Sequence, residues 1–141
     1  IFDMPAGGGA AFRFFEESDR VDQILLVSTT APTSVRAAER CAMRLKNPEK
    51  AKLVLNSFRV KKPGDNPFGV IEVIYRTSVP IIGVVPFDSG AEKALAKGLP
   101  LSANPKSGAG KAIGNICLRL MDESVPLLDG VMKKRKRMRF Y

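Results

Sequence analysis

Four short apolar runs, each strand-sized and unbroken, constrain this chain more than any other feature: Ile1-Phe2-Asp3, Ile24-Leu25-Leu26-Val27-Ser28-Thr29, Lys52-Leu53-Val54-Leu55-Asn56 and Ile81-Ile82-Gly83-Val84-Val85-Pro86. Continuous hydrophobicity, as opposed to alternation, is what a strand covered on both faces requires. Helical patterns separate the runs. Val35, Ala38, Cys41, Ala42 and Leu45 recur at three- and four-residue steps, with Arg36, Glu39, Arg40 and Arg44 on the opposite side. This is one amphipathic helix, capped by Thr33 or Ser34. Ser89-Gly90-Ala91-Glu92 matches a capping box, and Gly98 followed by Pro100 stops the short helix it opens. After Ser107 a longer apolar stripe runs through Ala109, Ala112, Ile113, Ile116, Cys117, Leu120 and Met121, the pattern of a core-facing helix. Val70 to Tyr75 fits strand or helix equally. The alternation predicts an α/β fold, a mostly parallel sheet with helices on both faces.

At 141 residues and 45% hydrophobic content the chain is long enough for one domain with its own core. Cys41 and Cys117 both lie in helical patterns and form no C-x-x-C pair, so they read as buried thiols in a reducing compartment, with no zinc site. No apolar stretch approaches the roughly 18 residues needed to span a bilayer, and no basic signal-peptide region opens the sequence. The stretch Lys61-Lys62-Pro63-Gly64-Asp65-Asn66-Pro67 is turn chemistry and predicts an exposed loop. Net charge is +9, and Lys133, Lys134, Arg135, Lys136, Arg137 and Arg139 account for most of it, leaving 17 basic against 14 acidic residues elsewhere. The expected division is a folded body over residues 1–128 and a basic tail over 129–141. Such a tail suits a polyanionic surface.

Every strand end carries turn-forming or polar residues: Asp3 with Pro5-Ala6-Gly7, Thr29-Thr30-Ala31-Pro32, Asn56-Ser57, and Pro86-Phe87-Asp88. The carboxyl edge of an open parallel sheet is where ligands bind. An acid ending an apolar strand suits a hydrated magnesium ion or the water that attacks a phosphate. A glycine-rich loop ending in lysine and a hydroxyl residue would complete a phosphate site, but Gly110-Lys111 is followed by Ala112.

In order, Asp3-Met4-Pro5-Ala6-Gly7, Val27-Ser28-Thr29-Thr30-Ala31-Pro32 with Ser34-Val35-Arg36, Leu53-Val54-Leu55-Asn56, and Ile82-Gly83-Val84-Val85-Pro86-Phe87-Asp88 resemble the MinD and ParA family of deviant-Walker ATPases. Ser107-Gly108-Ala109-Gly110-Lys111-Ala112, Asn115-Ile116, Arg119-Leu120 and Val125-Pro126-Leu127 are similar to the end of its cell-division, septum-site-selecting branch. The likeness covers nearly the whole chain and implies a P-loop NTPase-like α/β fold whose N-terminal strands lie outside this sequence. It implies ATP and magnesium as cofactors of the parent protein. Asp3 would be the catalytic, magnesium-side acid acting through water, and Pro5, Ala6 and Gly7 would belong to the phosphate-sensing switch. Asn56 would read the adenine edge, with Pro86 and Asp88 bordering the base. The family often follows this asparagine with arginine, where this chain has Ser57. The family's lysine-bearing loop is absent from these residues, so the chain alone is expected not to hydrolyse ATP.

The resemblance further implies a homodimer around ATP in the parent, a division-inhibitor partner, an activator of hydrolysis, and a cytoplasmic protein peripheral on the inner face of the membrane. The tail places Leu127, Leu128, Val131 and Met132 before its six basic residues, and Met138, Phe140 and Tyr141 around and after them. Electrostatic adhesion to anionic lipid fits this pattern, at about 1 kcal/mol per basic residue. A ParA-like partitioning or flagellar-number ATPase that binds DNA is the alternative, weakened by the scarcity of stacking aromatics among the basic residues. An iron-sulfur relative would need a cysteine shortly after the acid, where Gly8, Gly9, Ala10 and Ala11 stand.

Overall fold

The computed structural model describes residues 1–4, 9, 12, 13, 18, 20–59, 67–104 and 106–127. Among these, three strands form one parallel sheet in the order β1 (Ile24–Ser28), β2 (Ala51–Phe58), β3 (Ile81–Pro86). The helices are α1 (Pro32–Ala42), α2 (Val70–Thr77), α3 (Ala91–Ala96) and α4 (Gly108–Leu120). The expected α/β class and both-face helical cover are what the chain adopts, and the ambiguous stretch after Gly69 is helix α2.

Each face of the sheet has its own core. On one face Leu26, Ala51, Leu53, Leu55 and Val84 are buried beneath Val35 of α1 and Val73 of α2. On the other, Val54, Ile82 and Val85 are buried beneath Ala109, Ala112 and Ile116 of α4. Helix α4 lies over β2 and β3 and leaves the same face of β1 open, so Val27 is 63% and Leu25 41% exposed. The unbroken hydrophobicity of β1 therefore meets cover on one side only among the described residues.

Contact between α4 and β3 depends on Gly83. A Cβ built there would fall on Cγ1 and Cδ1 of Ile116, so the helix seats its isoleucine directly on the strand backbone. Two further bonds fasten the same pair. At the start of α4, the Ser107 hydroxyl donates to Asp88 Oδ2 at 2.6 Å just beyond β3. At the helix's other end Arg119 Nη1 donates to the Ile82 carbonyl at 2.8 Å. The β2–β3 register explains why that carbonyl is available: Leu53 faces Ile81 and Val54 faces Gly83, so Ile82 is an extra residue in the ladder. Arg119 also donates through Nε to Val125 O at 2.8 Å and through Nη2 to Pro126 O at 2.6 Å, tying the segment after α4 to the same strand.

Several sequence expectations change. Ile1-Phe2-Asp3 forms no strand, and all three residues are exposed. A strand needs a ladder partner, and no described strand pairs with these residues. Helix α1 is capped by neither Thr33 nor Ser34. Ala31, extended at φ −67° and ψ 137°, precedes Pro32 at the first helical position, where a missing N–H costs nothing. The capping box at Ser89 does not form either: Gly90 occupies the cap position without a side-chain bond, and Asp88 supplies acceptors for the Gly90 and Ala91 amides. The stop at Gly98 does form, with φ +64°. Cys117 and Met121 are exposed and Cys41 half-buried, so the α4 stripe is narrower than its sequence suggests. Residues 61–66 of the expected loop lie outside the described residues.

Gly83→Ala is expected to cost about 1–3 kcal/mol by overpacking. In an Ile116→Ala background the same substitution is expected to cost measurably less, as urea unfolding midpoints of the four proteins in the cycle would show.

Candidate functional site

Because the strands are parallel, their carboxyl ends share one edge, and three of the four expected junctions meet there. The β1–α1 junction is a polar knot closed on itself. Ser28 Oγ donates to Thr29 O at 2.9 Å, Ser34 Oγ accepts from the Thr29 amide at 3.0 Å, and the two hydroxyls lie 3.1 Å apart. With the Ser28 proton spent on Thr29, Ser34 donates to Ser28. The Ala31 amide donates to Thr29 Oγ1 at 3.2 Å. Ser28 and Thr30 are buried, and the Ser28, Thr29 and Ser34 hydroxyls are used within this junction between strand and helix.

The β2 junction opens outward. Leu55 faces Val84 and Phe58 faces Pro86, three steps on β2 against two on β3, so Asn56-Ser57 is a bulge. Ser57 has φ +55°, a left-handed backbone uncommon for a serine. The bulge leaves Asn56 exposed, with its Oδ1 accepting from the Ser57 amide at 2.8 Å. Bulges of this kind re-aim side chains at sheet edges.

At the β3 junction Pro86 is buried, and Gly108 approaches it closely enough that an added Cβ would lie 3.5 Å from Pro86 Cγ. Asp88 accepts from Gly90 N at 2.8 Å and from Ser107 Oγ at 2.6 Å, while Ser107 Oγ accepts from Gly110 N at 2.9 Å as the α4 cap. The Ser107 hydroxyl, then the Gly90 amide, hold the Asp88 carboxyl below its ordinary value of 3.8, against a weaker push from burial and with a further contribution from the Ala109 amide. Phe87, between them, is 50% exposed and lies 4.3 Å from the Arg59 guanidinium carbon, measured to the ring centroid.

The structure thus brings Asn56, Pro86 and Asp88 to one edge, with Pro86 and Asp88 turned toward the start of α4. Asp3 is exposed and outside the sheet. Pro5, Ala6 and Gly7 lie outside the described residues, as do Lys133, Lys134, Arg135, Lys136, Arg137 and Arg139. Sequence reasoning missed Arg59, whose only signal was an arginine two places beyond the position where the resemblance expects one. A surface cleft lined by Glu39, Glu72, Tyr75 and Arg76 lies between α1 and α2 and includes no junction residue.

Among the described residues these groups include no glycine-rich phosphate cradle. The Gly110-Lys111 pair sits in the first turn of α4, where Gly110 is packed against the Leu101 carbonyl. Among the described residues no cluster of three or more acidic, cysteine or histidine side chains is positioned to hold a metal, and no helix is long and apolar enough to cross a membrane.

No protein-family model matches the chain. It is 33% identical over 132 residues to the septum site-determining protein MinD of Bacillus subtilis (strain 168), a match covering 90% of this chain and 48% of that protein. The chain is MinD-like. The MinD cell division protein of Aquifex aeolicus has the same fold, with a TM-score of 0.69 and 27% identity over 75% of this chain and 46% of that one. The MinC:MinD cell division protein complex from that organism agrees in fold, with a TM-score of 0.75 at 24% identity over 86% of this chain and 50% of that chain. The MinD-like chain spans about half the length of the relatives it matches.

Removing the Ser107 hydroxyl takes away both the α4 cap and the main support of the Asp88 charge. Ser107→Ala is expected to cost about 0.5–2 kcal/mol at neutral pH. Because the Asp88 value is lowered on folding, its contribution is present above the unfolded value and lost as pH falls below 3.8 through the folded one. The Ser107→Ala protein should therefore lose less stability than the wild type across that acid window, measured by urea unfolding at stepped pH.

Proposed function

We propose that this chain is the base-reading portion of a MinD-like ATPase that takes part in selecting the cell-division site at the membrane. The observation that carries the reading is the match to MinD along 90% of the chain. The exposed Asn56, raised on a bulge at the ligand edge of the sheet, supports a role for it in reading the adenine edge. Pro86 and Asp88 contribute by fixing the neighbouring wall to α4. Asp3 is assigned to magnesium through water, and Pro5, Ala6 and Gly7 to the phosphate-sensing switch, by resemblance. ATP and magnesium bound in the parent would place a triphosphate and its charge-neutralising ion beside this edge.

Phosphoryl transfer depends on positioning and charge neutralisation, which a phosphate cradle supplies. The 141-residue chain alone is accordingly inactive. In the parent, ATP would be shared across a homodimer, with a division inhibitor and a hydrolysis activator as partners; the MinC:MinD complex among the structural neighbours favours the first of these. The basic tail over 129–141 would hold the protein to the inner membrane surface by charge.

Phosphate-release assays on the chain are expected to give no turnover, and calorimetry no micromolar ATP binding; micromolar affinity would overturn the assignment of an inactive portion. Deleting residues 129–141 is expected to abolish sedimentation with anionic vesicles and to leave little effect on duplex DNA. A larger loss on DNA, steep in salt, would favour the ParA-like reading instead.

A further inference from the structure

We propose that Arg119 is the positioning residue of the basic tail: it holds the root of the tail against the start of β3, so that an anionic membrane surface gripped by the tail faces the amino edge of the sheet and leaves the ligand edge turned away. The inference rests on the membrane reading of the tail above and deepens it. Two segments meet at this one side chain. Nη1 donates to Ile82 O at 2.8 Å, while Nε donates to Val125 O at 2.8 Å and Nη2 to Pro126 O at 2.6 Å. The end of α4 turns the chain back toward the guanidinium. The Asp122 amide donates to Arg119 O at 3.1 Å and the Glu123 amide to Leu118 O at 3.0 Å, the paired bonds of a Schellman motif, with Asp122 left-handed at φ +62°.

Location decides the consequence. Ile82 is the second residue of β3 and stands four residues before Pro86, about 13 Å away along an extended strand. Ser107, at the other end of α4, bonds Asp88 on the ligand edge. The chain therefore continues from Leu127 into its basic residues at the end of β3 opposite to Asn56, Phe87 and Asp88. Asp122 and Glu123 at the turn are exposed acids, which leaves contact with a negative surface to the tail. The residue type matters as much as its charge. A guanidinium presents its N–H groups in a fixed fork, and this one engages two segments through all three nitrogens, whereas a lysine ammonium is a point charge without that fork.

The test is amide-detected NMR of the chain with phosphatidylglycerol vesicles carrying a gadolinium-chelating lipid, which broadens amides held near the bilayer, read against the same vesicles without gadolinium. The Ala51, Ile81 and Ile82 amides are expected to broaden while those of Thr30, Phe87 and Asp88 stay sharp. Arg119→Lys keeps the charge and should abolish this difference without lowering sedimentation with the vesicles. A flexible insert of Gly and Ser residues after Leu127 should abolish it too with Arg119 in place, since about ten such residues span roughly 17 Å. Should Arg119→Lys fail to fold, the insert decides alone. A difference that survives in either folded variant would overturn the role of Arg119. Equal broadening at both edges of the unaltered chain, or stronger broadening at the ligand edge, would overturn the orientation and leave membrane binding standing. No sedimentation of the unaltered chain, with or without binding to duplex DNA, would overturn both.

Discussion

The seating of Ile116 on Gly83 is the contact on which the rest of this structure depends. With a side chain at position 83, either Ile116 would have to repack or α4 would have to move off β3. Because α4 runs back along β3, one end meets Asp88 through Ser107 and the other meets Ile82 through Arg119. The helix is therefore located by packing at its middle and by directional bonds at both ends. Packing supplies most of the burial, and the bonds select one register for it.

This arrangement determines what the ligand edge can offer. Asp88 is committed to the starts of α3 and α4, one carboxylate oxygen accepting from Gly90 and the other from Ser107, so it works as a positioning group for the end of β3. Ser28, Thr29 and Ser34 are committed to one another at the end of β1. The outward-facing chemistry is left to the β2–β3 side, where a bulge on β2 lifts Asn56 into solvent and Phe87 stays half open. The sheet carries two irregularities of opposite sense, an extra residue on β3 at Ile82 and one on β2 at Asn56-Ser57, so the strands come back into step by Phe58 and Pro86. The first gives Arg119 its acceptor, and the second gives the edge its exposed asparagine.

Apolar runs and helical spacing made the class of fold legible, because burial on two faces leaves a pattern that survives in one dimension. Strands β1, β2 and β3 and the stripe of α4 were all readable in this way. Caps were less so. Ser34 has the right chemistry for a cap, but the proline before it starts the helix two residues earlier and frees the serine to bond back to β1. Ser89 and Glu92 have capping-box spacing, yet the helix starts one residue later, with Gly90 at the cap and Asp88 accepting from the Gly90 and Ala91 amides. The bulges left no signal, since register is a property of two strands and cannot be read from either alone. Arg59 went unnoticed for the same reason: its distance to Phe87 depends on how the end of β2 turns.

Ile1-Phe2-Asp3 marks where composition and context part. The run is as apolar as the start of a strand, yet hydrophobicity does not make a ladder, and without a neighbour in the described sheet it remains exposed. Strand β1 has the complementary problem. Leu25 and Val27 are built for a covered face, and α4 lies too far toward β3 to cover them. The β2–β3 side is the more self-sufficient part, because its packing, bonds and register all close within the described residues.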